Sequence, residues 1–251
     1  MIVPGGDGEN FVDQFAHRIG GRGAVAVRSA AALAVLLWTP SAWAQDRVPV
    51  AIELVLALDS SASIDHDEFQ LQLDGLAAAF REPDVLGAVD QLKPLGVAVA
   101  VIQWGGPGET RTVLPFTHLE TARDAKAFGF RVSLIRRWMR ASSTSIATAI
   151  ADAAALIVGN EFDGQRLVID VSGDGPDNGS TDLDAARKRV RMAGITVNGL
   201  AIEAEDKALK GYFRDRVIIG ADSFVEPAEG FADFARAIKE KLLRELRPLE
   251  S

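Results

Sequence analysis

Acidic and hydroxyl side chains follow an apolar run near residue 50 of this 251-residue chain. Asp59, Ser61 and Ser63 stand two residues apart, directly after the run that begins at Val50. That run is rich in Val, Ile and Leu and alternates little, which is typical of a strand buried on both faces of a parallel sheet. Ligand sites in open α/β sheets form at the carboxyl ends of strands, and hard cations such as Mg²⁺ prefer oxygen ligands. The spacing therefore indicates a cation site at the end of this strand.

The same stretch also has an ordinary structural interpretation. Ser and Asp are frequent helix N-caps, and they are common in turns. Asp65 and Glu68 form the pattern of a capping box at the start of the next helix. Taken alone, the stretch is compatible with turn and cap chemistry as well as with a metal site.

Two later loops carry residues of the same chemistry. Thr144 lies in a polar stretch ahead of an Ala-rich segment, and Asp174 follows the apolar run that begins at Arg166. Both stand where a helix is expected to follow, as Asp59 does. Asp177 is an alternative to Asp174. If the three loops meet, hydroxyl oxygens and carboxylates surround one point.

Hydrophobic periodicity predicts strands that alternate with helices over most of the chain. The predicted strands are 50–58, 97–104, 110–116, 166–172 and 195–202, with a last short strand within 217–225. The predicted helices are 65–81, 84–92, 120–139, 145–158, 182–193, 206–214 and 231–246. The sequence Gly-Gly-Pro-Gly at 105–108 predicts a hairpin turn, which makes 110–116 an antiparallel edge strand. This order predicts a doubly wound α/β domain with a mostly parallel central sheet and helices on both faces.

Several segments resemble the von Willebrand factor type A (vWA) domain family, over about 48–246. The D-x-S-x-S pattern at Asp59 is similar to the family's metal-site motif, and VAVAVIQWGGPGETRTVLPF resembles its second and third strands. SSTSIATAIADAA is similar to its threonine loop and following helix, and RLVIDVSGDG to its fourth strand and acidic loop. The C-terminal YFRDRVIIGADSFVEPAEGFADFARAIKEKLLREL is similar to secreted bacterial members that form domain-of-unknown-function family 1194.

The resemblance implies a Rossmann-like vWA fold with a MIDAS-type divalent metal site for Mg²⁺ or Mn²⁺. The implied metal residues are Asp59, Ser61, Ser63, Thr144 and Asp174. The two acids are expected to act partly through water and through hydrogen bonds that orient the serines. One coordination position would stay open for an Asp or Glu carboxylate of a protein partner. Trp104 and Arg140 are candidates for contacts with this partner around the rim of the metal site.

The acidic loop departs from the family pattern. Many members have Thr-Asp-Gly there, whereas Gly173 here separates Ser172 from Asp174. Asp170 is also unusual, because an unpaired carboxylate inside a buried strand is costly. We expect Asp170 to have a structural role, with Asn198 on the next strand as a hydrogen-bond partner.

Residues 1–44 have the pattern of a signal peptide behind an N-terminal extension. Arginines precede a short apolar core at 30–38, and Ala42-Trp43-Ala44 forms an A-x-A cleavage site. We therefore expect cleavage after Ala44, export to the periplasm or beyond, and a single domain at 45–251. The alternative is a membrane anchor that stays attached, although the apolar core is about half as long as a membrane span needs.

Composition narrows the function classes. A net charge of −8 without a polybasic arm argues against a nucleic-acid partner, and the absence of cysteine excludes disulfides and thiolate chemistry. His66 and His118 fit no zinc-protease pattern, and no G-x-S-x-G elbow is present. The favoured function is metal-dependent binding of a protein partner, without enzyme activity. The alternatives are a scaffold whose metal only staples loops and, less favoured, a metal-assisted hydrolase.

Overall fold

The central strand of the sheet runs directly into the first candidate site residue. In the computed structural model, β1 (Val48–Asp59) pairs in parallel with β2 (Val97–Trp104) on one side and with β4 (Phe162–Gly173) on the other. The structure describes residues 47–138, 143–179 and 182–248. All of these belong to one compact unit, Ala44–Ser251. The predicted signal segment and Arg140 lie outside the described residues.

The other strands complete a mostly parallel sheet. β3 (Thr110–Leu119) pairs antiparallel with β2 at one edge, while β5 (Thr196–Ile202) and β6 (Val225–Ala228) extend the parallel sheet beyond β4. The order across the described sheet is β3-β2-β1-β4-β5-β6. The predicted α/β class, the hairpin and the antiparallel edge strand are confirmed. The carboxyl ends of β1 and β4 lie side by side at the same end of the sheet, because these strands are parallel neighbours.

Helices cover both faces of the sheet. They are α1 (His66–Ala79), α2 (Pro83–Gln91), α3 (Ala122–Val132), α4 (Ile146–Val158), α5 (Leu183–Met192), α6 (Leu209–Tyr212) and α7 (Phe234–Glu245). A π-helical turn (Phe213–Val217) follows α6, and a 3₁₀ turn (Phe231–Asp233) precedes α7. Within the described ranges, no helix is long and apolar enough to cross a membrane.

The core lies in two layers because β1 alternates its side chains between the faces. Leu54 and Leu56 pack with α1, α2, α3 and α7, whereas Val55 and Ala57 pack with α4, α5 and α6. All four side chains are buried, so the strand is apolar on both faces and shows no alternation in the sequence. This packing holds the end of β1, and therefore Asp59, in a fixed position.

Several predicted boundaries differ from the structure. The helix predicted over 120–139 ends at Val132, and after a short stretch of local turn hydrogen bonds the backbone at 136–138 is held by the sheet. Gln103 on β2 binds both the carbonyl of Arg136 (2.8 Å) and the backbone N–H of Trp138 (2.8 Å). The last strand forms at Val225–Ala228, and Ile219 makes only an isolated bridge to Val197.

Candidate metal centre

The first loop is organised around the Asp59 carboxylate. Asp59 is fully buried, and its Oδ1 accepts a hydrogen bond from the backbone N–H of Ser61 at 2.8 Å. Its Oδ2 is buried and has no hydrogen-bond partner among the described residues. The Oγ atoms of Ser61 and Ser63 lie 3.2 Å apart. The D-x-S-x-S spacing therefore brings one carboxylate and two hydroxyls to one point.

The acidic loop after β4 joins this group through Asp174. The Oγ of Ser63 donates a hydrogen bond to Asp174 Oδ1 at 2.9 Å. Gly173, the departure from the family pattern, has a local reason. A Cβ at Gly173 would lie 3.0 Å from Asp59 Oδ2 and 3.4 Å from the Trp104 ring. The missing side chain lets the two loops approach closely enough for Ser63 to reach Asp174.

The threonine loop is tied to the acidic loop by backbone and amide hydrogen bonds. The N–H of Thr144 donates to Asn178 Oδ1 at 2.7 Å, and the N–H of Asn178 donates to the Thr144 carbonyl at 2.9 Å. Thr144, Ser63 and Asp174 line the same cavity of about 360 Å³. The structure therefore places residues of all three predicted loops around one cavity.

Asp177 has a different role from Asp174. Its Oδ1 accepts a 3.4 Å hydrogen bond from Ala147 N–H in the first turn of α4, and its own N–H donates to the hydroxyl of Tyr212 at 3.1 Å. A carboxylate at a helix N-terminus satisfies free N–H groups. The geometry thus favours Asp174 over Asp177 as the acid beside Ser63.

Burial makes both site carboxylates costly to ionise. Burial raises the pKa of Asp59 to about 7, the Ser61 hydrogen bonds oppose this rise, and the charge of Asp174 adds to it. Burial also raises the pKa of Asp174, with the charge of Glu205 adding to the rise. A cation placed among these oxygens would offset that penalty, because an opposite charge favours the ionised form.

Sequence reasoning missed two acids at this cavity. Glu205 and Asp206 line it together with Asp174. They follow the carboxyl end of β5, so the available signal was a pair of acids in the loop after a predicted strand. The sequence alone did not indicate that β5 lies beside β4, which is what brings these acids to the cavity.

Sequence reasoning also missed Arg137, which stands beside Arg136 in a basic stretch. Its Nη2 donates to the carbonyls of Ser60 (3.1 Å) and Ser61 (2.8 Å), so the side chain braces the first loop. The positive charge of Arg137 also acts to lower the pKa of Asp59. Trp104 was predicted to contact a partner at the rim of the metal site. This prediction was wrong, because the Trp104 side chain is fully buried.

The prediction that Asn198 is the hydrogen-bond partner of Asp170 was also wrong. Asp170 and Asn198 are paired in register, but the Asp170 carboxylate forms an ion pair with Lys241 on α7 at 2.9 Å. Lys241 also binds Glu245 at 2.6 Å, and Asn198 donates to Glu245 at 3.0 Å. Asp170 is buried within this group, which agrees with the structural role predicted for it.

The residues around the cavity fit a hard divalent cation. Across the described residues, His, Cys, Asp and Glu side chains nowhere gather in threes in a metal-binding arrangement. A cation here would therefore use hydroxyl oxygens beside the carboxylates, a donor set that suits Mg²⁺ or Mn²⁺. The unpartnered Asp59 Oδ2 is the clearest sign, because a buried carboxylate oxygen without a partner costs free energy.

Comparison with known proteins gives a family for nearly the whole described chain. The family model described as "Protein of unknown function (DUF1194)" matches residues 49–250. Among curated proteins, none matches this chain.

Solved structures share the fold at low sequence identity. Proximal thread matrix protein 1 from the mussel byssus, with a zinc-occupied MIDAS motif, has a TM-score of 0.56 and 14% identity over 81% of this chain and 48% of its own. A von Willebrand factor type A protein from Catenulispora acidiphila has a TM-score of 0.52 and 18% identity over 79% of this chain and 43% of its own. This chain therefore spans less than half the length of these two.

A third solved structure matches over nearly its full length. The vWF domain of the type V pili tip protein Mfa5 from Porphyromonas gingivalis has a TM-score of 0.53 and 11% identity, over 82% of this chain and 98% of its own. At such identities the likeness concerns the fold. Taken with the family match and the sheet order, it leads to one conclusion: the chain belongs to the DUF1194 family, and its domain has the von Willebrand factor type A fold.

Proposed function

We propose that this protein is an exported binding module that holds a protein partner through a divalent cation. One observation carries the proposal: Ser63 links Ser61 to Asp174 at the end of β1, beside the unpartnered Oδ2 of Asp59. The proposed metal residues are Asp59, Ser61, Ser63, Thr144 and Asp174. A MIDAS motif in the mussel protein and a pilus-tip vWF domain among the similar folds support this class of function.

The chain's own residues divide the work at this site. Ser61, Ser63 and Thr144 offer neutral hydroxyl oxygens, and Asp59 orients Ser61 through its backbone N–H. Asp174 orients Ser63. A bound Mg²⁺ or Mn²⁺ would supply a positive charge able to accept a carboxylate oxygen of the partner. Partner binding at this site involves no catalytic step.

The partner is expected to present one Asp or Glu side chain. At a net charge of −8 the chain repels acidic surfaces, and salt screens this repulsion beyond about 8–10 Å. Attraction to a local positive point is strong only for a group that reaches it without intervening water. The loop-staple alternative has less support, because Asn178 and Ser63 already tie the loops to each other by hydrogen bonds.

Capture of a partner from cell-envelope extract tests the proposal. We expect the immobilised protein to retain a specific partner in Mg²⁺ and to release it in chelator. Ser61→Ala with Ser63→Ala should abolish capture, whereas Ser133→Ala, a hydroxyl outside the site, should leave it unchanged. Changing a single acid of the partner to its amide should also remove binding. Unchanged capture after chelation would favour the loop-staple alternative instead.

A further inference from the structure

A second cavity, of about 730 Å³, lies on the other side of the first site loop. Its walls are the start of α1, with His66 and Phe69, and the segment after α3, with Arg136 and Arg137. Ala62 lines this cavity and the metal-site cavity alike. The two cavities are therefore neighbours separated by one loop.

The two cavities differ in charge. The metal-site cavity carries the acids Asp174, Glu205 and Asp206, whereas the second cavity carries two arginines. Its one acid, Asp65, is occupied as the N-cap of α1, accepting a 2.8 Å hydrogen bond from the Glu68 N–H. The N-terminal end of α1 adds positive potential on the same side. A basic cavity thus opens on a chain whose net charge is −8.

The backbone of Arg136 and the side chain of Arg137 are held in place. The Arg136 carbonyl accepts a hydrogen bond from the Gln103 side chain, and the backbone N–H of Trp138 donates a hydrogen bond to that side chain. The Arg137 guanidinium lies 5.8 Å from the centre of the Phe69 ring and donates twice through Nη2 to loop carbonyls. Its Nε is buried and has no acceptor among the described residues. The fixed guanidinium of Arg137 favours a carboxylate ligand, and the exposed side chain of Arg136 lines the same cavity.

We propose that this basic cavity is a second subsite, which binds a carboxylate of an acidic peptide segment on the partner. The inference rests on the proposed function, because the same segment would place another carboxylate at the metal site across Ala62. The partner would therefore present at least two acidic side chains. Arg136 and Arg137 would select it over partners with a single acid.

Calorimetry with a hexaglutamate peptide tests the subsite, with hexaglutamine as the uncharged control peptide. Titrations are made in metal-depleted buffer and again with Mg²⁺. Because Arg136 is exposed and its side chain has no hydrogen bond among the described residues, Arg136→Gln should leave the fold intact. We expect this change to weaken hexaglutamate binding about fivefold in both buffers, and Arg136→Lys to weaken it less. Arg189→Gln, an equal charge change at an exposed residue of α5, should have no effect.

The two buffers separate this inference from the proposed function. If Mg²⁺ increases the affinity for hexaglutamate but Arg136→Gln binds the peptide as tightly as wild type, the proposed subsite is wrong and the proposed metal site stands. If Arg136→Gln weakens binding but Mg²⁺ has no effect, the subsite stands and metal-dependent capture is wrong. Absence of any hexaglutamate binding to the wild-type protein would also overturn the subsite.

Discussion

At the scale of single residues, the site depends on how few contacts the Asp59 carboxylate makes. One oxygen is used by the Ser61 N–H, and the other, Oδ2, has no partner among the described residues. Burial places the pKa of this group at about 7, so its charge is costly unless a cation compensates it. Asp59 therefore links the loop geometry to metal affinity more directly than the exposed Ser63 does.

We expect Asp59→Ala to weaken Mg²⁺ binding by about 10- to 100-fold, as loss of a carboxylate that orients metal ligands typically does. Isothermal calorimetry on wild type and variant measures this change. Asp59→Asn is the matched control for shape, and it should lose most of the affinity because it lacks the charge. Equal affinities for the three proteins would move the metal site elsewhere.

Gly173 allows a second test at this scale. A Cβ at this position would approach Asp59 Oδ2 to 3.0 Å, whereas a Cβ at Gly175 would meet nothing within 4 Å. Gly173→Ala should therefore lower the free energy of unfolding by about 1–3 kcal/mol and weaken Mg²⁺ binding, because Asp59 must move. Gly175→Ala should change neither quantity. Urea denaturation and calorimetry give the two values, and wild-type behaviour of Gly173→Ala would contradict the close approach.

At the scale of elements, α7 is attached to the sheet by buried charges as well as by apolar packing. Asp170 on β4, Lys241 and Glu245 on α7, and Asn198 on β5 form one buried group. Arg166 donates from the edge of this group to the Glu245 carbonyl. Burial acts to lower the pKa of Lys241, but the charges of Asp170 and Glu245 outweigh it and raise the pKa. Lys241 therefore stays charged between two carboxylates.

This group predicts a pH-dependent stability. Burial raises the pKa of Asp170 to about 7 in the folded chain, against an ordinary value of 3.8. Between these values the folded chain holds a proton that the unfolded chain has lost, so the contribution to stability falls as the pH rises from about 4 to 7. We expect Asp170→Asn to reduce the slope of this part of the stability profile, measured by urea denaturation across that pH range; part of the slope should remain because the pKa of Asp59 is raised to about 7 as well. A profile identical to wild type would contradict the assignment.

Lys241→Met removes the positive charge of the same buried group. Removing the ammonium leaves two buried carboxylates without a counter-charge, which should cost about 3–5 kcal/mol of unfolding free energy near neutral pH. Lys188→Met, at an exposed residue of α5, is the matched control and should change stability by less than about 0.5 kcal/mol. Thermal and urea denaturation of both variants decide the matter, and similar stabilities would contradict a buried ion group.

At the scale of the whole molecule, the three site loops and the two cavities lie at one end of the sheet, beyond the carboxyl ends of the parallel strands. That end combines an acidic cavity, with Glu205 and Asp206, and a basic cavity, with Arg136 and Arg137. A partner that matches both must carry its charges in a definite order. This requirement gives specificity beyond the single metal contact that the proposed function needs.

Export is the remaining expectation at this scale. The A-x-A pattern predicts a mature chain that begins at Gln45, two residues before Arg47. Arg47 donates to the carbonyls of Val158 and Asn160, so cleavage at this point leaves the described domain whole. Intact-mass measurement of protein from the envelope fraction should give that N-terminus, and Ala42→Arg with Ala44→Arg should block cleavage. A full-length cytosolic species in native cells would contradict export.

The sequence by itself determined the fold class and the chemistry of the first loop. The apolar run before Asp59 indicated a doubly buried parallel strand, and local spacing placed Ser61 and Ser63 beside it, because neighbours two residues apart in a turn must lie close. The capping box of Asp65 and Glu68 was equally local, and both of its hydrogen bonds form as predicted.

Only the tertiary structure decided the contacts between distant segments. The Asp174 contact with Ser63 depends on β4 lying beside β1, and the Lys241 contact with Asp170 depends on where α7 packs. The path of the segment after α3 depends on Gln103, which binds the backbone at Arg136 and Trp138. Such partners are far apart along the chain, and periodicity reports only which face of an element is apolar, not which side chains meet across the core.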